Sequence, residues 1–187
     1  MRFVDRLGQR WRIDKIRPFI PGGARVLDIG SGDGALFRQL GKLVNADSLG
    51  IDPGLKANSR VGGVSLIVGK FPQDMPAVEP FDVITLLAVL EHFPPAEHAA
   101  LKQGCRQFLK PGGRLIITVP SAHADYVLAV MTFFRLHDGM SLEEHHGYDV
   151  EETPKIFSGI NFRLSHRKKF ELGLNNLFVF ERIGDAR

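Results

Sequence analysis

Short apolar runs alternate with amphipathic stretches along the middle of the chain. Residues 25–29, 48–51, 64–68, 81–87 and 114–119 read as strands bounded by Gly, Pro and Asp. Residues 81–87 carry almost no polar side chain, as a strand buried on both faces should. Between the strands the period changes. Residues 34–43 turn Leu36, Phe37 and Leu40 to one side, which predicts a helix. A second helix begins at Pro95, and its Leu101, Cys105, Phe108 and Leu109 form one stripe. Lys110-Pro111-Gly112-Gly113 stops it. A short helix is expected over residues 54–60. Ahead of the first strand, Phe3, Val4, Leu7, Trp11 and Ile16 stand at mostly helical spacing, so an N-terminal helix ends before Pro18 or Pro21.

After Pro120 the pattern loosens. Residues 122–136 look helical, 137–148 form a polar loop rich in Glu and His, and 150–157 make a short helix. Residues 162–171 and 176–182 alternate as strands, and the turn chemistry of residues 173–175 joins them as an antiparallel hairpin. Repeated strand–helix units predict an α/β fold of the Rossmann-like, doubly wound type: a mostly parallel sheet closed by a C-terminal antiparallel hairpin. No internal boundary is visible, and residues 1–187 read as one domain. Its parts are an N-terminal helix (1–23), a core (24–120), and a helical region with the closing hairpin (121–187).

Composition narrows the class. A length of 187 residues suits one domain. With 44% hydrophobic and 24% charged residues, wholesale disorder is excluded. Cys105 is the single cysteine, so there is no internal disulfide and no cysteine-cluster zinc site. A net charge of +3 is too mild for a nucleic-acid binder. The basic stretch 163–169 contains alternating apolar residues and reads as the wet face of a strand. The first residues lack an apolar signal core, and the apolar stretch 126–134 falls short of the roughly 20 residues a bilayer span needs. A soluble, cytoplasmic protein without a membrane span is expected, and its oligomeric state is unreadable.

The chemistry concentrates in VLDIGSGDG, residues 26–34, where a strand runs into a glycine turn and then a helix. Gly30, Gly32 and Gly34 let the backbone bend and let a ligand approach it. The stretch also fits the loose dinucleotide pattern G-x-G-x-x-A, and Asp52, at the end of the second strand, can accept ribose hydroxyls. Either feature suits any nucleoside ligand. Asp28 and Asp33 discriminate: carboxylates around the turn repel a pyrophosphate and welcome a cationic ligand.

VLDIGSGDG, then GIDP (50–53), FDVITLLAVLEHF (81–93) and LKPGGRLIITVP (109–120), resembles the class I S-adenosylmethionine-dependent methyltransferases. Within them the chain is most similar to the small-molecule enzymes with a Leu-Glu-His step after the fourth strand. The resemblance covers residues 24–120 and implies a seven-stranded sheet whose last strand is antiparallel. It implies S-adenosyl-L-methionine as cofactor and a small-molecule acceptor carrying an O-, N- or C-nucleophile, methylated by in-line displacement. Asp28, Gly30, Ser31 and Gly32 then form the methionine-end loop. Asp52 holds the ribose diol, Pro53 lies beside the adenine, and Leu87 and Ala88 line the pocket. Many relatives have an acid after the third strand. Here Gly69-Lys70-Phe71-Pro72 stands in its place, so Lys70 and Phe71 become the adenine-side candidates, with Phe71 open between stacking and core roles. Glu91 and His92 are divided between bracing their loop and serving the active site.

For a hydroxyl acceptor, the candidate general bases are His146, His145 and His92, because imidazole titrates near neutrality. Adjacent His145 and His146 do not converge on one metal ion, and no metal is expected. Two other readings are a non-catalytic S-adenosylmethionine-binding subunit or sensor and, more remotely, an NAD(P)-dependent oxidoreductase.

Overall fold

A computed structural model describes residues 3–121, 148–159 and 161–184. The expected helix over 122–136 and loop over 137–147, with His145 and His146, lie outside the described residues. The elements run α1 (Phe3–Ile16), β1 (Val26–Ile29), α2 (Ala35–Leu40), β2 (Leu49–Asp52), β3 (Ser59–Val61), β4 (Val64–Val68) and β5 (Phe81–Leu87). They continue with α3 (His98–Phe108), β6 (Leu109–Pro120), α4 (Glu152–Phe157), β7 (Phe162–Phe170) and β8 (Asn175–Arg182).

The strands form one eight-stranded sheet in the order β3-β4-β2-β1-β5-β6-β8-β7. The pairs β1–β2, β1–β5, β2–β4 and β5–β6 are parallel. β8 enters antiparallel to both β6 and β7, which is the expected closing hairpin. The sheet has one strand more than the seven expected. Residues 54–60 do not form a helix. The chain bends instead and returns as β3, antiparallel to β4. Gly62 and Gly63 explain this, since both sit at positive φ (58° and 92°), the backbone that a tight two-residue hairpin loop needs.

Other boundaries move for similar local reasons. α2 stops at Leu40 because Gly41 takes φ 52°, and a single tighter turn carries residues 41–43. β6 starts at Leu109 rather than at 114, because Leu109 pairs with Phe81 before a register shift. Pro95 opens a short 3₁₀ turn that leads into α3.

Each face of the sheet buries its own core. On one side Ile13, Ile16, Ile20 and Phe37 cover Val64, Val83, Ile116 and Leu177. On the other Leu101, Cys105, Phe108 and Phe157 cover Leu27, Ile84, Ile117 and Phe178. Helices on both faces are what a doubly wound sheet requires. Trp11, expected on the buried stripe, is 50% exposed. At about 100° per residue it stands some 200° round the helix from Ile13, so it faces away from the sheet. No described helix is long and apolar enough to cross a membrane.

Two glycines give opposite tests of this packing. A Cβ on Gly104 of α3 would meet Pro72 Cβ at 2.6 Å and Phe71 Cε1 at 2.8 Å, while one on Gly8 of α1 would meet nothing within 4 Å. Gly104→Ala is expected to lower unfolding free energy by about 1–3 kcal/mol. Gly8→Ala is expected to raise it by about 0.5–1 kcal/mol. Denaturant titration of both variants checks the pair.

Candidate functional site

The strand order reverses between β1 and β5, and ligands of open α/β sheets bind beyond the carboxyl ends of strands at such a point. A cleft of about 580 Å³ opens there. Its geometry starts from the glycine turn after β1. Gly30, Gly32 and Gly34 all hold positive φ, at 73°, 49° and 80°. Gly30 N–H donates to Ile51 O at 2.9 Å, and Gly34 N–H to Ser31 O at 2.9 Å. A Cβ on Gly30 would lie 2.5 Å from Val89 Cγ2, so only glycine lets the turn after β1 lie against the turn after β5. That second turn is itself strained: Ala88 has φ 56°, and its N–H donates to Thr118 O at 2.9 Å.

Asp52 ends β2 and ties two loops together. Its Oδ2 accepts from Gly32 N–H at 2.8 Å and its Oδ1 from Gly54 N–H at 2.7 Å. Behind the glycine turn, Asp28 is 4% exposed and accepts a hydrogen bond from Thr85 Oγ1 at 2.6 Å. Burial pushes its pKa up to about 7; the Thr85 bond works against this, and the nearby Asp52 carboxylate adds to it. Asp33 pairs instead with Arg38, at 2.6 Å between Oδ2 and Nη2. Its charge is therefore partly offset, and the electrostatic discrimination expected of the loop rests on Asp28.

Six sequence candidates line the cleft together: Gly30, Asp52, Pro53, Lys70, Phe71 and His92. The other described candidates stand around it. Asp28 and Ser31 are buried behind the turn, Gly32 is exposed at its outer edge, and Leu87 and Ala88 close the end of β5. Phe71 belongs to the core and also borders the cleft. It is 5% exposed, packs edge-on against Phe108 with centroids 5.9 Å apart, and still contributes to the cleft wall.

Sequence reasoning missed Gln73, Val89, Phe93, Pro94 and Glu97 on the wall. Val89 and Phe93 flank the Leu-Glu-His step, which was the available signal. It also missed Asp74, whose Oδ2 accepts from Lys70 N–H at 2.7 Å and shapes the loop after β4. Beyond the mouth, Glu91 is buried, His98 Nε2 lies 3.0 Å from Phe93 O, and Tyr148 Oη is 2.9 Å from Thr153 Oγ1. Burial, with the acids Glu91, Glu152 and Asp149 nearby, pushes the Tyr148 phenol up to about 12.

A Rossmann-like sheet with a glycine turn, a carboxylate ending β2 and a cleft at the switch point defines a nucleoside-cofactor protein. Comparison with known proteins makes this specific. The family model described as methyltransferase domain matches residues 2–164, and the chain belongs to that family. It is a member of the class I methyltransferases, whose cofactor is S-adenosylmethionine.

The chain is 34% identical to a ubiquinone biosynthesis O-methyltransferase of Xylella fastidiosa (strain 9a5c) over 136 residues, 64% of this chain and 52% of that protein. It is 33% identical to the protein of the same name from Xanthomonas axonopodis pv. citri (strain 306) over 128 residues, 59% of this chain and 49% of that one. The chain thus spans about half the length of these relatives. Among solved structures, the magnesium protoporphyrin IX methyltransferase of Synechocystis PCC 6803 with bound SAH superposes with a TM-score of 0.69 at 17% identity. That match covers 97% of this chain and 88% of the other.

Asp28 gives this site a pH signature. Its proton is held in the folded state up to about pH 7, against 3.8 ordinarily. The resulting stabilisation of the ligand-free protein is full below the ordinary carboxylate range and is lost as pH rises through about 7. Asp28→Asn is expected to remove this part of the slope, as read by denaturant titrations from pH 5 to 8. An unchanged slope would show that Asp28 does not titrate there.

Proposed function

We propose that the chain transfers a methyl group from S-adenosylmethionine to a hydroxyl oxygen of a small-molecule acceptor. The observation that carries this reading is the cleft whose wall combines Gly30, Asp52, Phe71 and His92 at the switch point. The residues fit the cofactor on three counts. The absent side chain of Gly30 keeps the floor of the cleft low against Val89. Each Asp52 oxygen accepts one backbone N–H and keeps a lone pair for a ribose hydroxyl. Ser31 Oγ is buried without a hydrogen-bond partner, an orphaned polar atom beside the turn that would meet the methionine end.

Asp52 would thus hold the ribose, with Gly32 beside it. Pro53 and Phe71 would flank the adenine, Lys70 would border it, and Leu87 and Ala88 would back the methyl-bearing end. Asp28, behind the turn, would offset the cofactor's positive charge, which in turn favours ionised Asp28. When bound, S-adenosylmethionine supplies a methyl already activated by a positive sulfur. The chain's own tasks are alignment and exclusion of water. The buried Phe71 and the apolar Val89 and Phe93 dry the wall beside His92.

A hydroxyl acceptor needs its proton removed. Among the described residues His92 is the sequence candidate that lines the cleft, and the proposal puts proton removal on its imidazole. Tyr148, held at about 12, stays protonated at neutral pH and is no base there. The relatives named as O-methyltransferases support oxygen over nitrogen or carbon as the acceptor atom.

Two variants test the assignment. Asp52→Ala is expected to weaken S-adenosylhomocysteine binding at least tenfold, about 1.4 kcal/mol, by calorimetry, with the fold retained by circular dichroism. Unchanged affinity would remove Asp52 from the ribose site. His92→Ala is expected to cut turnover of a phenolic acceptor by roughly 10²- to 10⁴-fold while cofactor affinity stays within about twofold. Turnover equal to the parent would take the base role from His92.

A further inference from the structure

We propose that Thr85 is a positioning residue of the cofactor site: its hydroxyl holds the Asp28 carboxylate ready for the cofactor's positive groups and so sets the pH range in which the chain binds. The inference rests on the methyltransferase reading above. Strand register makes the pair. Asp28 of β1 lies directly beside Thr85 of β5 and, on its other side, beside Gly50 of β2, which brings no side chain. Asp28 is 4% and Thr85 0% exposed, and Thr85 Oγ1 donates to Asp28 Oδ1 at 2.6 Å. Nothing in the strand asks for a hydroxyl. Val83 and Leu87 on the same face of β5 are apolar, and so is Ile116, the partner of Thr85 on β6. A valine at 85 would continue that face.

The hydroxyl has one proton and two acceptors, the second being Leu27 O at 3.4 Å. With Asp28 ionised, that proton goes to the carboxylate. With Asp28 protonated, the carboxyl itself donates to Oγ1, and the hydroxyl turns to Leu27 O. The pair thus has an arrangement for each charge state, and the shorter contact favours the ionised one. Burial works the other way and brings the balance to about pH 7. A charge in the cleft tips it. Asp52 lines the cleft, and its carboxylate is felt at Asp28. A cation bound in the same cleft acts with the opposite sign. The helices over this face present Ile13, Leu36 and Phe37 to it. Their charged residues Arg10, Asp14, Lys15 and Arg38 are exposed, and Arg12 acts on Glu171 after β7. Cofactor binding therefore ionises Asp28 and releases its proton, so affinity rises with pH through about 7.

The test is calorimetric titration of the full chain with S-adenosylhomocysteine, whose ammonium stays charged throughout, from pH 6 to 8.5. The parent is expected to gain about tenfold in affinity between pH 6 and 8, the change in ionised fraction around a midpoint of about 7. At pH 7, titrations in buffers of different ionisation heat are expected to show release of about half a proton. Thr85→Val is expected to move the midpoint up by about one pH unit. Its affinity then falls about fivefold at pH 7 and comes within about twofold of the parent's at pH 8.5. Thr85→Ser is expected to restore the parent profile, and Thr85→Ala replaces Val if the latter does not fold. Comparing profiles separates Asp28 from the titratable Asp52, Lys70, His92 and Glu97 on the cleft wall, which all the variants keep. Coincident profiles, or an equal loss at every pH, which marks a packing role, overturn the inference. Binding by the parent without proton release also overturns it and leaves the methyltransferase reading standing. Failure of the parent to bind S-adenosylhomocysteine at any pH overturns that reading itself.

Discussion

The contact between Gly30 and Val89 is the constraint on which the site depends. Two adjacent parallel strands, β1 and β5, must each turn away at their carboxyl ends, and the turns run against one another. With a Cβ on Gly30 only 2.5 Å from Val89 Cγ2, any side chain would force them apart. The positive φ at Gly30 and the strained backbone at Ala88 are the two halves of the same packing problem. Because the turns close on each other, the cleft wall takes residues from both. Gly30 and Asp52 come from one side of the switch point, and Val89, His92 and Phe93 from the other.

Charge is arranged around this junction by depth. Asp28 and Asp52 share the neighbourhood, and the Asp52 carboxylate adds to the rise that burial gives Asp28. The structure separates their roles. Asp52 stands at the cleft with two backbone N–H groups on its oxygens. Asp28 is buried with one Thr85 hydroxyl, and its burial outweighs that bond. A ligand-free site therefore holds a partly protonated group behind the turn, which a cation shifts toward the carboxylate. Asp33, the acid nearest the helix start, is spent on Arg38 at the surface.

Much of the sheet was legible because its rules are local. β1, β2, β4, β5 and β8 are short apolar runs whose length and flanking turns leave little choice. The misreadings have local causes of the opposite kind. At residues 54–63 the Gly62-Gly63 pair outweighs a weak helical pattern and folds an eighth strand onto the edge. Trp11 is large and apolar, so spacing alone recruits it to the buried face, although helix rotation sends it outward. In the site, Asp52 and the glycines announce themselves by type and order. Val89, Phe93 and Pro94 do not, since an apolar residue on a cleft wall and one in a core read alike.

By itself the sequence determined the class: alternating strands and helices, a glycine turn after the first strand, an acid ending the second, and four motifs in the order of a methyltransferase domain. Each is a property of neighbours along the chain, where periodicity and turn chemistry act. The tertiary structure alone decided what those residues face. It put Phe71 in both core and cleft, divided Asp28 from Asp52, brought His92 to the wall, and set the Thr85 hydroxyl on the Asp28 carboxylate. These are matters of depth and of approach between distant segments, and burial, unlike periodicity, is set by what packs across the sheet rather than by what comes next in the chain.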